Sequence, residues 1–383
     1  MPTTWNYPTR IIYGAGALAS LPAEAKALGA KKALIVADPG VTKAGISEKV
    51  RATLEAGGVA AAVFDGIGEN PTDDHAVAAI EAYKAAKADL VIALGGGSPL
   101  DVGKVVRIGA NHPLPLDQYD AFKGGVEKLT EPVPPMIAIP TTAGTGSEVG
   151  RSAVLTLKAT HRKTIFFAPK LLANVAILDP ELTVGLPPRT TAATGFDALT
   201  HCIEAYCSLG EHPMADAIAL MGIELIAKHL PTAVKDGKNL EARGAMLQAA
   251  TFGATAFQKG LGACHSLAHP LSAELGTHHG LANALCLPAV LDFNTSVIPA
   301  RLAKIARLLG STAASDEAAA KDCSARIAAL RAEIGLPAGL SGIGITEAQL
   351  DKLSQLAFED PCHTENPQPC TREQLLGLYK KSL

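Results

Sequence analysis

The sequence predicts an α/β N-terminal part, a doubly wound parallel sheet of Rossmann-like type, followed by an all-α C-terminal part. Three observations carry this. Over the first half, short apolar runs ending in turn residues alternate with helix-like stretches, the pattern of buried parallel strands joined by crossover helices. Beyond Leu186-Pro187-Pro188 strand-like runs become scarce and long helical patterns take over. The 383 residues, 48% of them hydrophobic, are enough for two parts with cores of their own.

The predicted strands are IIYG (11–14), KKALIVAD (31–38), AAAVFDGI (60–67), DLVIALGGG (89–97), PPMIAIPTT (134–142) and VAILDP (175–180). Between them GISEKVRATLEAGG (45–58) and DDHAVAAIEAYKAAKA (73–88) read as helices. In the second half TTAATGFDALTHCIEAYCS, PMADAIALMGIELIAKHLPTAVK, LEARGAMLQAATFGATAFQ and IPARLAKIARLLG continue the helical reading. The boundary falls near residue 185, giving an α/β domain over 1–185 and a helical domain over 186–383.

A formal charge of −3 gives no support for nucleic-acid or membrane-surface binding. No uninterrupted apolar run approaches the length of a bilayer span, and MPTTWNYPTR lacks the apolar core of a leader peptide. Seven cysteines without a CxxC pair read as reduced thiols, so a cytoplasmic protein is expected.

Four of the eleven histidines fall in GLGACHSLAHPLSAELGTHHG (260–280). His265 and His269 are four apart, which sets them on one helix face, and Asp197 and His201 repeat that spacing. With His279 as a fifth donor, two such pairs can assemble a divalent-metal site. A single pair would read as well as a chance cluster or a helix cap.

Two glycine-rich turns compete for phosphates. Gly14 to Ala19 fits G-x-G-x-x-A, but its strand is short and GALASLP opens a crossover helix poorly, so a structural turn is the better reading. Gly95-Gly96-Gly97-Ser98 follows a strong strand and opens a helix, where amides and the helix dipole favour an anion. Asp38, ending the second strand, can accept from ribose hydroxyls and repel a 2′-phosphate, which favours NAD over NADP; it can equally be a turn residue before Pro39.

GGGSPLDVGK, IPTTAGTGSEV, ILDPELT, TAATGFDALTHCIEAY and HSLAHPL…HHG, in order along nearly the whole chain, resemble the iron-containing, or group III, alcohol dehydrogenases. The resemblance implies a dehydroquinate synthase-like architecture and a homodimer. It implies metal ligands at Asp197, His201, His265 and His279, and a proton-transferring histidine at His269. It also implies a pyrophosphate loop at Gly95, Gly96, Gly97 and Ser98, with Asp38 at the adenosine ribose. Asp101, Thr141, Thr142, Thr145, Lys163 and Leu182 align with further cofactor positions. Iron is the family's metal, although the ligand types suit Fe(II), Zn(II), Mn(II) or Co(II). Gly103 departs from the usual Ala, at a small cost in helix propensity.

Within the family AFQKGLGACHSLAHPL and HHGLANALCLPAVLDFN are most similar to 4-hydroxybutyrate dehydrogenases. Arg151 and Lys259 are then candidates to bind a carboxylate, against the alternative that each faces solvent or pairs with a protein carboxylate. The expected substrate is a small anionic molecule, a short ω-hydroxy acid or its semialdehyde. Another substrate (a simple primary alcohol, a maleylacetate-like oxo acid or a sulfonated aldehyde) or a transhydrogenase reaction stays open. A zinc hydrolase or lyase is the reading from a different class, weakened by the absence of HExxH.

Overall fold

The computed structural model describes residues 9–68, 70–159 and 162–383. The stretch 1–8, most of the segment read above for a leader, lies outside them. By internal contacts the described chain forms two compact units, one of residues up to 142 with 146–185, the other of 186–383 with 143–145.

The first unit carries eight strands: β1 (Arg10–Tyr13), β2 (Lys32–Val36), β3 (Ala60–Phe64), β4 (Leu90–Gly95), β5 (Met136–Pro140), β6 (Ser152–Leu157), β7 (Arg162–Phe167) and β8 (Val175–Leu178). Six of them form a parallel sheet in the order β1-β8-β5-β4-β2-β3, one for each predicted run. Successive side chains of a strand point to opposite faces. Ala33 and Ile35 therefore pack with Leu21 and Ala25 of α1 (Leu21–Ala27) and with Val50 and Leu54 of α3 (Ile46–Ala56). Leu34 and Val36 pack with α4 (Asp73–Ala86) and α5 (Gly97–Asn111) on the other face. A short α2 (Pro39–Lys43) follows β2.

The strand order has a functional consequence. From β2 the chain leads outward to β3, whereas from β4 it leads the opposite way to β5. The switch point lies between β2 and β4, and in open parallel sheets ligands bind outside the carboxyl ends of such strands.

Two features were not read from the sequence. β6 and β7 form an antiparallel ribbon, whose inward residues Ala153, Leu155 and Phe166 join the α4–α5 core. Their half-buried alternation is diluted by polar residues on the outer face. Gly103 is more than a minor departure: a Cβ there would lie 2.7 Å from the Ala93 methyl, so glycine lets α5 settle against β4.

The helical unit contains α6 (Pro188–Cys207), α7 (Pro213–Lys235), α8 (Leu240–Ala256), α9 (Ala263–Leu275), α10 (His279–Asn294), α11 (Pro299–Leu308), α12 (Asp316–Glu333), α13 (Glu347–Glu359) and α14 (Arg372–Lys381). Pro188 starts α6 at a position where the missing N–H costs nothing. From Thr191 to Cys207 nearly every residue of α6 is buried, so this helix is the spine of the unit. Among the described residues one helix, α7, has the length and hydropathy of a membrane span; its Ala219, Ile223, Ile226 and Leu230 face the core.

Candidate active site

α6 carries Asp197, His201 and Glu204 at i, i+4 and i+7, a single helix face. α9 contributes His265, Ser266 and His269, and α10 begins at His279 and adds Asn283 one turn later. Glycines let α10 and α8 close on α6. A Cβ at Gly280 would sit 2.0 Å from the Ala193 carbonyl oxygen and 3.0 Å from Asp197 Cβ, and one at Gly253 3.0 Å from His201 Cβ.

The donors converge on one carboxylate oxygen. His201 Nε2, His265 Nε2 and His279 Nε2 lie 3.8, 3.9 and 3.4 Å from Asp197 Oδ1. The His201 and His265 rings stack with centroids 4.7 Å apart. Asn283 Nδ2 donates to Asp197 Oδ1 at 2.9 Å and lies 3.3 and 3.5 Å from His279 Nε2 and His265 Nε2. Asp197, His265 and His279 each offer a ligand atom within 4.8 Å of the others, a group that could hold a divalent ion, and His201 Nε2 approaches the same Asp197 oxygen. Metal–nitrogen bonds of about 2.1 Å give a tetrahedral edge of about 3.4 Å, which the His279–Asp197 separation of 3.4 Å matches and the His201 and His265 separations of 3.8 and 3.9 Å exceed. Asp197 is buried at 3% exposure, and a buried carboxylate surrounded by the His201, His265 and His279 rings favours a cation. Burial pulls His201 down to about 4, so its ring is neutral at neutral pH and its lone pair is available.

Two carboxylates orient the rings. His265 Nδ1–H donates to Glu204, which also accepts from the Cys264 N–H at 2.7 Å. His269 Nδ1 lies 2.7 Å from Asp360 Oδ2, and a carboxylate can only accept there, so Nε2 of the neutral ring carries the lone pair. Asp360 Oδ1 accepts from Ser266 Oγ at 2.8 Å and from the Cys362 N–H at 2.9 Å. Burial pushes the Asp360 carboxyl up, but His269 and these bonds outweigh it and hold it well below the usual carboxylate range. His269, Asp360 and Cys362 also cluster. Their 2.7 Å contact is too short for two ligands of one ion, so this group is a hydrogen-bonded network.

Glu204, Asp360 and Asn283 were missed from the sequence. Glu204 was readable, standing on the helix face of Asp197 and His201. Asp360 lies 91 residues from His269 with no periodic relation to it. His278 is exposed beside the partly exposed His279, and the His363 Nε2–H donates to the Phe358 carbonyl at 3.0 Å.

In the α/β unit Asp38 and Gly95 to Ser98 flank the switch point. Gly95 has φ +142°, and a Cβ there would lie 2.8 Å from Pro99 Cγ and 3.0 Å from Asp38 Oδ2. Gly96 caps α5, and Gly97 and Ser98 are its first residues, with Thr142 against Gly96. Thr141 N–H donates to the Gly95 carbonyl at 2.9 Å. Asp38 is also the N-cap of α2, taking the Val41 N–H at 2.9 Å. The competing turn is structural: the Gly16 and Leu18 amides are held by the fully buried Asp179 at 3.2 and 3.0 Å.

Of the other expected cofactor positions, Asp101 and Leu182 have roles within the α/β unit. Asp101 accepts from Ser147 Oγ at 2.6 Å and the Val154 N–H at 2.9 Å, tying the ribbon to α5. Leu182 is core, and Lys163 is half-buried on β7 opposite Thr156. Thr145 groups with the helical unit, where Gly144 lies against Thr194.

Of the two cations expected at the substrate, Lys259 is engaged elsewhere. Lys259 Nζ is buried, donating to Asp216 Oδ1 at 2.6 Å and to the Tyr206 carbonyl at 3.0 Å. Tyr206 is nine residues beyond Asp197 on α6, about 13 Å along its axis, and this ammonium is already paired with a protein carboxylate. The Arg151 guanidinium lies over the Phe167 ring, 5.4 Å from its centroid.

Known proteins place this arrangement. Residues 8–180 match the model of the iron-containing alcohol dehydrogenases and residues 191–383 that of the Fe-containing alcohol dehydrogenase family, C-terminal part. The chain belongs to the iron-containing alcohol dehydrogenase family and is an oxidoreductase acting on alcohols. It is 39% identical to a 4-hydroxybutyrate dehydrogenase of Cupriavidus necator, over 98% of this chain and 99% of that one. A crystal structure of a 1,3-propanediol oxidoreductase superposes with TM-score 0.96 at 37% identity, covering 100% of both chains. A sulfoacetaldehyde reductase of Bifidobacterium kashiwanohense, solved in complex with NAD+, gives TM-score 0.88 at 30% identity over 99% of each chain.

Proposed function

We propose that the protein is an iron-dependent, NAD-linked dehydrogenase of short primary alcohols, with 4-hydroxybutyrate and succinate semialdehyde as the substrate pair. The observation that carries the reading is the convergence of three imidazole nitrogens on Asp197 beside the His269–Asp360 pair. A divalent ion held by Asp197, His201, His265 and His279 would supply Lewis acidity to an alcohol oxygen, and a bound nicotinamide would supply the hydride acceptor. The chain's own groups do the rest. Gly95, Gly96, Gly97 and Ser98 offer amides and a helix N-terminus to a pyrophosphate, and Asp38 its free carboxylate oxygen to a ribose. Asp360 holds the Nδ1 proton of His269 in place, so Nε2 takes up the alcohol's proton and passes it to solvent through its partly exposed edge.

The hydroxy-acid assignment is supported by the likeness to the 4-hydroxybutyrate dehydrogenase. A second reading, an uncharged diol, is favoured by the Lys259–Asp216 pair, which leaves that ammonium already neutralised. Steady-state assays with NAD decide between them. Higher kcat/KM for 4-hydroxybutyrate than for 1,3-propanediol or butanol is expected; the reverse order overturns the acid. The reduced cysteines and the family resemblance extend the proposal to a cytoplasmic homodimer, checked by light scattering.

A further inference from the structure

We propose that Glu204 is a positioning residue: through His265 it completes a carboxylate–histidine–metal triad that sets how tightly the cluster holds its ion. This rests on the metal reading of the cluster above.

Three observations carry it. Glu204 is buried, with a side-chain exposure of 4%. It accepts the Cys264 N–H at 2.7 Å, the His265 N–H at 3.3 Å and the Nδ1–H of the same His265 ring. Cys264 and His265 stand in the first turn of α9, whose N–H groups have no partner within the helix. One carboxylate from α6 therefore caps α9 and fixes the ring of its ligand, and an anion is favoured at that helix end. The third observation is the approach itself. A Cβ at Gly262 would lie 2.8 Å from Glu204 Oε1, so glycine lets the chain entering α9 pass the carboxylate without displacing it.

The chemistry follows from the ring. With Nδ1–H committed to Glu204, His265 presents Nε2 as its lone-pair nitrogen, and the neighbouring negative charge makes that nitrogen a stronger donor. The charges also balance: two positive charges on an ion meet two buried carboxylates, Asp197 directly and Glu204 through the imidazole. Neutralising Glu204 leaves the site with an uncompensated positive charge among apolar helices.

The test uses Co(II) added to metal-stripped full-length protein, with binding followed by visible absorption and competition against a chelator. Glu204→Gln keeps the side-chain volume and removes the charge. A Co(II) affinity lower by roughly 10- to 100-fold, with an altered ligand-field spectrum, is expected. Unchanged affinity and spectrum in Glu204→Gln, with wild type binding normally, would overturn the role of Glu204 alone. Wild-type protein that takes up no Co(II) would overturn the cluster reading and this proposal with it. Should Glu204→Gln fail to fold, the Co(II)-loaded wild type supplies the answer by proton NMR. A hyperfine-shifted, slowly exchanging His265 Nδ1–H supports the triad, and a rapidly exchanging one contradicts it.

Discussion

In the α/β unit the candidate ligand groups are main-chain amides freed by Gly95, Gly96 and Gly97 at the end of a strand. In the helical unit they are side chains projected from α6, α9 and α10. Glycine serves both, in different ways. At Gly95 it supplies a backbone conformation with φ +142°; at Gly253, Gly262 and Gly280 it removes a side chain so that helices approach. A backbone site tolerates changes in the side chains around it and is sensitive to the path of the chain. A side-chain site depends on each donor and on whatever orients it.

The largest expected effect removes a donor from the side-chain site. His265→Ala should lower kcat/KM by about a thousandfold or more, because Lewis-acid stabilisation is worth several kcal/mol at 1.36 kcal/mol per tenfold. Metal content should fall in parallel, while NAD affinity measured by fluorescence stays unchanged.

Glycine substitutions separate the two regions next. Gly280→Ala puts a methyl against the Ala193 carbonyl and Asp197, so it should destabilise the fold by about 2 kcal/mol or more and weaken metal retention. Gly95→Ala should instead raise the KM for NAD and leave metal content intact. Equal effects of both variants on both ligands would dissolve the distinction.

Asp360→Asn should cost about 1–3 kcal/mol at neutral pH, from lost charge-assisted bonds to His269, Ser266 and Cys362. The folded carboxyl titrates below its ordinary value, so its contribution is complete above about pH 4 and is lost as pH falls towards the depressed value. Denaturant titrations of the two proteins should therefore converge in acid. The smallest effect is expected at Asp38. Asp38→Ala should relax the preference for NAD over NADP by about tenfold and cost about 1 kcal/mol as a lost α2 cap.

The same contrast explains what the sequence disclosed. The inner strands β2, β4, β5 and β8 were legible because each is a continuous apolar run buried almost throughout, and the partly exposed edge strands β1 and β3 because their apolar runs end in turn residues, whereas β6 and β7 alternate with polar residues and passed unread. The spacing of Asp197 with His201, and of His265 with His269, showed two helix faces, because helical geometry is local. Glu204 shares the first face, but a glutamate on a helix is ordinarily solvated, and only packing of α9 shows its burial. Asp360 reaches His269 through tertiary structure alone. Lys259 looked like a substrate cation until its partner, Asp216, came into contact from 43 residues away.

The most direct test is metal analysis of anaerobically purified protein, paired with an NAD-reduction assay before and after chelation. One iron per chain is expected, with activity lost on stripping and restored by Fe(II). Full NAD-dependent alcohol oxidation by metal-free protein would contradict the account.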